Sequence, residues 1–138
     1  MKIFNLSVLF FFLFTFSLSA WDEGADSYDS IKARAKTSEV PFIVYVRVDW
    51  CPWCKKLDSL LQESDFDQLF YGKLAVKINP DNSPEEKMIA KSLGVTGYPS
   101  MYIILPNGGK SSLGLPLKAE KETILLALKK QLSAVFKE

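Results

Sequence analysis

From Pro41 to Val48 the chain reads PFIVYVRV, and three residues later it reads CPWC. A nearly continuous apolar, β-branched run has no polar face to turn to water. It is expected to form a strand covered on both sides, as in a parallel or mixed sheet. Pro52 suits the first turn of a helix, because its missing N–H would be unpaired there anyway. Cys54, Leu57, Leu60 and Leu61 then follow at helical spacing. A buried strand, a tight turn and a helix therefore succeed one another, with the cysteine pair at the junction.

The remaining elements fall in around this unit. Trp21 to Ala25 reads as a loose lead-in, and Asp26 to about Thr37 as a short amphipathic helix carrying Tyr28 and Ile31. DFDQLFYG suggests a further turn ending at Gly72, and Lys73 to Asn79 a second strand. Ser83, Pro84, Glu85 and Glu86 make a helix start, with Ser83 as cap. That helix is expected to turn Met88, Ile89 and Leu93 inward and to stop at Gly94. Ser100 to Leu105 reads as a strand, and Asn107-Gly108 as a type I′ hairpin turn. An edge strand from Lys110 to Leu115 should pair back. A final helix, Lys118 to Lys137, presents Ile124, Leu125, Leu128, Leu132 and Val135 as one stripe. The expected fold is α/β, a four-stranded mixed sheet flanked by helices. Its first two strands are parallel because a helix crosses between them.

Composition removes several function classes. The chain has 138 residues, enough for one domain with a real core. It contains no histidine, which excludes a His-based triad, a His general base and His metal ligands. It has two cysteines, too few for a four-ligand structural zinc site within one chain. The net charge is +1 and no basic stripe is visible, so no nucleic-acid partner is expected.

The first twenty residues stand apart. MKIFNLSVLFFFLFTFSLSA has one charge, Lys2, an apolar run from Ile3 to Leu18, and a small-residue end at Ser19 and Ala20. This is the pattern of a signal peptide over 1–20, leaving residues 21–138 as the domain. The apolar run is short for a bilayer-spanning helix, so membrane attachment is expected only if the segment stays uncleaved. Export places the domain where disulfides can persist. The chain ends without a Lys-Asp-Glu-Leu type signal, which favours a periplasm over an endoplasmic lumen.

The two sulfurs have unequal settings. Cys51 sits at the helix N-terminus, where free N–H groups favour a thiolate over a thiol. Cys54 lies on the side of Leu57 and Leu61 and is expected to be the more buried. Cys51 is thus the candidate attacking thiolate, and Cys54 the resolving thiol. A purely structural disulfide over so small a loop would stabilise the fold by only about 2 kcal/mol. Lys55 and Lys56 add positive charge nearby, which also favours a thiolate.

DWCPWCKKLDSLL behind a buried strand, with GVTGYPSMYIILPNG about 40 residues later, resembles the thioredoxin family. The resemblance covers the chain from about Asp26 onward. It implies a thioredoxin-like fold and a redox-active Cys51–Cys54 disulfide with no bound cofactor. Trp50 matches the tryptophan before the first cysteine. Gly97, Tyr98 and Pro99 match a turn whose cis proline lies beside the disulfide, and Tyr98 would present a backbone edge to a substrate strand. Trp53 is expected at an exposed apolar rim, so the substrate-binding candidates are Trp50, Trp53, Tyr98 and Pro99. Pro52 and Lys77 are supporting candidates, Lys77 by match to a family lysine on the second strand. Tyr45 stands where the family carries a buried acid, six residues before the first cysteine.

The function expected is an exported thiol–disulfide oxidoreductase that reduces or isomerises protein disulfides, with protein substrates and a protein redox partner. Two rivals stay open at the sequence level. One is a disulfide-donating oxidase of the same fold, and the other a non-catalytic thioredoxin-like binding module. Pro52 and Trp53 set the direction of electron flow without revealing it.

Overall fold

A computed structural model of the chain describes residues 20–137. The segment expected as a signal peptide lies, but for Ala20, outside the described residues. In chain order the elements are β1 (Asp22–Glu23), α1 (Ala25–Ser38), β2 (Phe42–Val46), α2 (Pro52–Leu61) and α3 (Ser64–Phe70). Then come β3 (Leu74–Ile78), α4 (Pro84–Ser92), β4 (Ser100–Ile104), β5 (Lys110–Ser112) and α5 (Lys121–Val135). No described helix is long and apolar enough to cross a membrane.

All five residues of β2 are buried. The strand lies mid-sheet, parallel to β3 and antiparallel to β4, in the order β1-β3-β2-β4-β5. Alternate side chains feed two separate cores. Ile43 and Tyr45 join Leu57 and Leu61 of α2, Phe66 and Phe70 of α3, and Ile124, Leu128 and Leu132 of α5. Phe42, Val44 and Val46 join Tyr28, Ile31 and Ala35 of α1, with Ala90 of α4. A strand of this composition needs helices on both faces, and it has them.

Four expectations change. The sheet has five strands, where four were expected. The supposed lead-in supplies the extra one, because Asp22 and Glu23 pair with Val76 and Lys77. Buried Trp21 anchors this strand, its ring 4.8 Å from Phe70 and 5.9 Å from Tyr45. Met88 points outward and is 70% exposed. The inward face of α4 is instead Glu86 and Ala90, continued by Leu93 beyond the helix end. Glu86 is drawn in because its carboxylate accepts the Asn79 backbone N–H at 2.7 Å, while Ser83 caps the helix by accepting from Glu86 N.

The β4–β5 turn is not type I′, since Gly108 has φ 85 but Asn107 is not in the left-handed region. Leu105 C=O accepts from Gly108 N at 2.9 Å, which puts Pro106 and Asn107 at the turn centre. The fixed φ of Pro106 suits a type I turn, and Gly108 follows as a left-handed bulge residue. Finally, α5 starts at Lys121 and β5 stops at Ser112, both shorter than their apolar patterns suggest.

Trp21→Ala should therefore lower stability by about 3–5 kcal/mol, the cost of emptying a buried indole site. Met88→Ala should shift it by less than about 0.5 kcal/mol. Urea unfolding of the two variants checks both, and equal effects would contradict the assigned faces.

Candidate active site

β2 delivers the chain to Val48, and α2 begins four residues later. Cys51 is the N-cap of α2, with extended backbone (φ −88°, ψ 114°). Its Sγ accepts the backbone N–H of Cys54 at 3.1 Å, so the sulfur takes the place a capping oxygen would hold. Cys51 C=O accepts the Lys55 N–H at 3.1 Å. Both cysteines are free thiols and both are buried, Cys54 completely. They share a small apolar cluster with Val48, against which Tyr98 packs.

Burial is the main reason the Cys54 thiol is pushed up to about 12 from its ordinary 9.0. The hydrogen bond to Cys51 adds to the rise, while a Val48 backbone hydrogen bond and the Arg47 guanidinium work against it. At neutral pH Cys54 is therefore a protonated thiol.

The exposed surface around the pair is aromatic. Trp50 is 67% exposed, yet it is held in place. Its indole N–H donates to Asp81 Oδ2 at 3.0 Å, and its ring meets Tyr98 edge-on at 5.9 Å. Trp53 is 42% exposed, with the Lys56 ammonium 5.7 Å from its ring centroid. Lys56 also donates to Leu117 C=O, tying α2 to the segment before α5. The Tyr98–Pro99 peptide bond is cis. An open groove of about 530 Å³ runs beside it, lined by Trp53, Tyr98, Pro99, Leu115, Leu117 and Ala119.

The structure thus brings Trp50, Cys51, Cys54 and Tyr98 together, and places Trp53 and Pro99 on the adjoining groove. Pro52 is exposed as the first residue of α2. Lys77 is set apart from the sulfurs. It stands opposite Tyr45 in the sheet, with its ammonium 5.9 Å from the Trp21 ring centroid.

Three charged residues were not foreseen. Asp81 fixes Trp50 from 31 residues away, a partnership with no local signature. Arg47 reaches Asp49 (2.8 Å) and Asp58 (2.9 Å). Asp58 could have been suspected, because it is an acid set among Leu57, Leu60 and Leu61, four residues after Cys54.

The family model described as Thioredoxin matches residues 25–129. The chain belongs to the thioredoxin family. No curated protein sequence matches it. Among solved structures it is similar to a thioredoxin from Thermus thermophilus, with a TM-score of 0.61 and 21% identity over 80% of this chain and 85% of that one. A disulphide isomerase from Xylella fastidiosa Temecula1 gives 0.64 and 20%, over 77% and 88%. The oxidised C-terminal domain of DsbD from Neisseria meningitidis gives 0.54 and 22%, over 63% and 78%. At such identities these likenesses speak for the shared fold. With its Cys-X-X-Cys dithiol at the start of α2, this thioredoxin-family chain is a thiol–disulfide oxidoreductase.

The raised Cys54 thiol has a pH consequence of definite sign. Between about pH 9 and about 12 the folded protein keeps a proton that the unfolded chain has released. Cys54 thus contributes stability below pH 9 that disappears as pH rises through that window. Reduced protein should lose stability there relative to Cys54→Ala, as followed by urea unfolding at stepped pH. Parallel curves for the two proteins would contradict the assignment.

Proposed function

We propose that the protein is an exported enzyme that reduces or isomerises disulfides in other proteins, with Cys51 as nucleophile and Cys54 as resolving thiol. The observation that carries this reading is the asymmetry of the pair. Cys51 Sγ is the cap of α2 and accepts a backbone N–H, which stabilises negative charge on sulfur. Cys54 lies behind it, fully buried and protonated.

In this reading the Cys51 thiolate attacks a substrate disulfide and forms a mixed disulfide, releasing one substrate thiolate. Cys54 then attacks Cys51 Sγ, and the second substrate thiolate leaves. The substrate disulfide is reduced by two electrons and the pair ends as a Cys51–Cys54 disulfide. A protein redox partner reduces it again, and no bound cofactor is needed. In isomerisation a different substrate thiolate attacks the mixed disulfide before Cys54 does, which forms a new substrate disulfide and returns Cys51 as thiolate. Trp50 and the groove beside Trp53, Tyr98 and Pro99 offer an apolar seat for an extended substrate segment next to the sulfurs. Export rests on the charged start, apolar run and small-residue end of residues 1–20.

Two measurements test the reading. Cys51→Ala should abolish reduction of insulin disulfides, whereas Cys54→Ala should accumulate a mixed disulfide on Cys51, visible by mass. Full activity in Cys51→Ala would sink the proposal. Equilibration with glutathione should give a reduction potential nearer about −270 mV than about −120 mV. The less negative value would make the protein a disulfide donor instead.

A further inference from the structure

The two sulfurs lie at one end of the sheet, and a separate cavity of about 270 Å³ opens at the other. Strand register fixes the separation. In the β2–β4 pair Val46 stands opposite Ser100, next to Pro99, whereas Phe42 stands opposite Ile104. Phe42 and Ile104 line the cavity, which therefore lies roughly 13 Å of strand from Val46, at about 3.3 Å per residue.

The cavity forms where the chain turns sharply beside a small side chain. α1 closes at Glu39, whose backbone is left-handed at φ 53°, and Val40 N–H donates back to Ala35 C=O at 3.0 Å. The chain enters β2 at once. Ala35 and Phe42, each 2% exposed, form the floor. The single methyl of Ala35 leaves room that a larger side chain would fill. Pro106 and Gly108 of the β4–β5 turn contribute to the wall.

The polar lining is one-sided. Lys32 and Lys36 stand one turn apart on α1, both exposed, and both line the cavity. Asn107 is the third polar side chain of the lining. Its Oδ1 accepts the Gly109 N–H at 2.8 Å, which leaves its NH2 group as a donor. No carboxylate lines the cavity, and neither lysine has an ion-pair partner among the described residues. Lys110 adds a further cation on β5, opposite Ile104. In a chain with 17 basic and 16 acidic residues this surplus is local. Lys36 also suits the last turn of α1, where a cation complements the helix dipole, but that role asks for neither a cavity nor a second lysine.

We propose that this cavity binds a small organic carboxylate with a compact apolar body, either one aromatic ring or a short alkyl chain. The body displaces water from Ala35, Phe42 and Ile104. The carboxylate meets the Lys32 and Lys36 ammoniums and the Asn107 NH2 group in charge-assisted hydrogen bonds. Size selects the body. The volume is slightly below the roughly 300–1,000 Å³ of drug-sized sites, so it suits one ring rather than several. Charge selects the head, because two ammoniums with no acid beside them attract an anion and repel a cation. Binding uses neither cysteine and stands apart from the redox reading.

Phenylbutyrate is the probe, and phenylbutanol is the control of like shape without charge. Amide NMR of the isotope-labelled full chain should show saturable shifts centred on Ala35, Phe42, Ile104, Asn107 and Gly108. The dissociation constant for the acid should lie below about 5 mM. The alcohol should bind at least about fivefold more weakly, because it cannot form charge-assisted bonds. The double variant Lys32→Gln/Lys36→Gln should weaken the acid by a similar factor and leave the alcohol unchanged. It keeps much of each aliphatic stem, and its spectrum without ligand reports whether the fold is intact. Should the double variant fail to fold, Lys32→Gln alone carries the test. Shifts that do not saturate by about 20 mM overturn the proposal. So does equal affinity for acid and alcohol, or equal affinity of parent and folded variant for the acid. Shifts centred instead on Trp53 and Tyr98 would place the acid in the groove beside the cysteines and overturn it too.

Discussion

A strand with no face for water is the constraint on which the rest depends. β2 places five consecutive apolar side chains at the centre of the sheet, alternately in one core and the other. Each core requires its own helices, and the strand's backbone requires a partner on each edge. β3 and β4 supply the edges, α1 and α4 one cover, and α2, α3 and α5 the other. The site inherits its rigidity from this arrangement. The chain leaves a fully packed strand at Val46 and becomes helical at Pro52, so Cys51 and Cys54 are fixed by the structure on either side of a short turn.

What the sequence makes legible follows from how local the causes are. The buried strand, the helix after CPWC, the Ser83–Pro84 start and the stripe of α5 are each written within a dozen residues. Their period or capping chemistry is visible without a fold. The misreadings have nonlocal causes. Two residues, Asp22 and Glu23, carry no strand pattern of their own. They pair because Trp21 is buried against Phe70 and Tyr45. Met88 looked inward by apolar character, but the Glu86 carboxylate bonds to the Asn79 backbone and rotates the helix face away from it. Asn107-Gly108 was outvoted by Pro106, one residue earlier.

The candidate site divides in the same way. The cysteines, their unequal burial and the tryptophan before them could be read from a motif at a helix start. Their surroundings could not. Trp50 finds Asp81, Tyr45 finds the Cys54 carbonyl, and Arg47 finds two acids, all through folding rather than spacing. Tyr45 illustrates the limit well. In sequence it is one more apolar member of the β2 run, and in the structure its hydroxyl donates to the Cys54 backbone carbonyl at 3.3 Å.

The hydrogen bond between Trp50 and Asp81 has a meaning for recognition. An exposed indole is ordinarily free to change rotamer, and a partner that lands on it must stop that motion. Here the β3–α4 loop already holds the ring from one side and Tyr98 from another. The ordering cost has been met before any encounter, so binding on this face starts from a preorganised surface. Under the proposed function, such a surface suits brief visits by extended substrate chains. What each visitor gains there is area against a fixed wall, rather than a pocket remade around its own side chains.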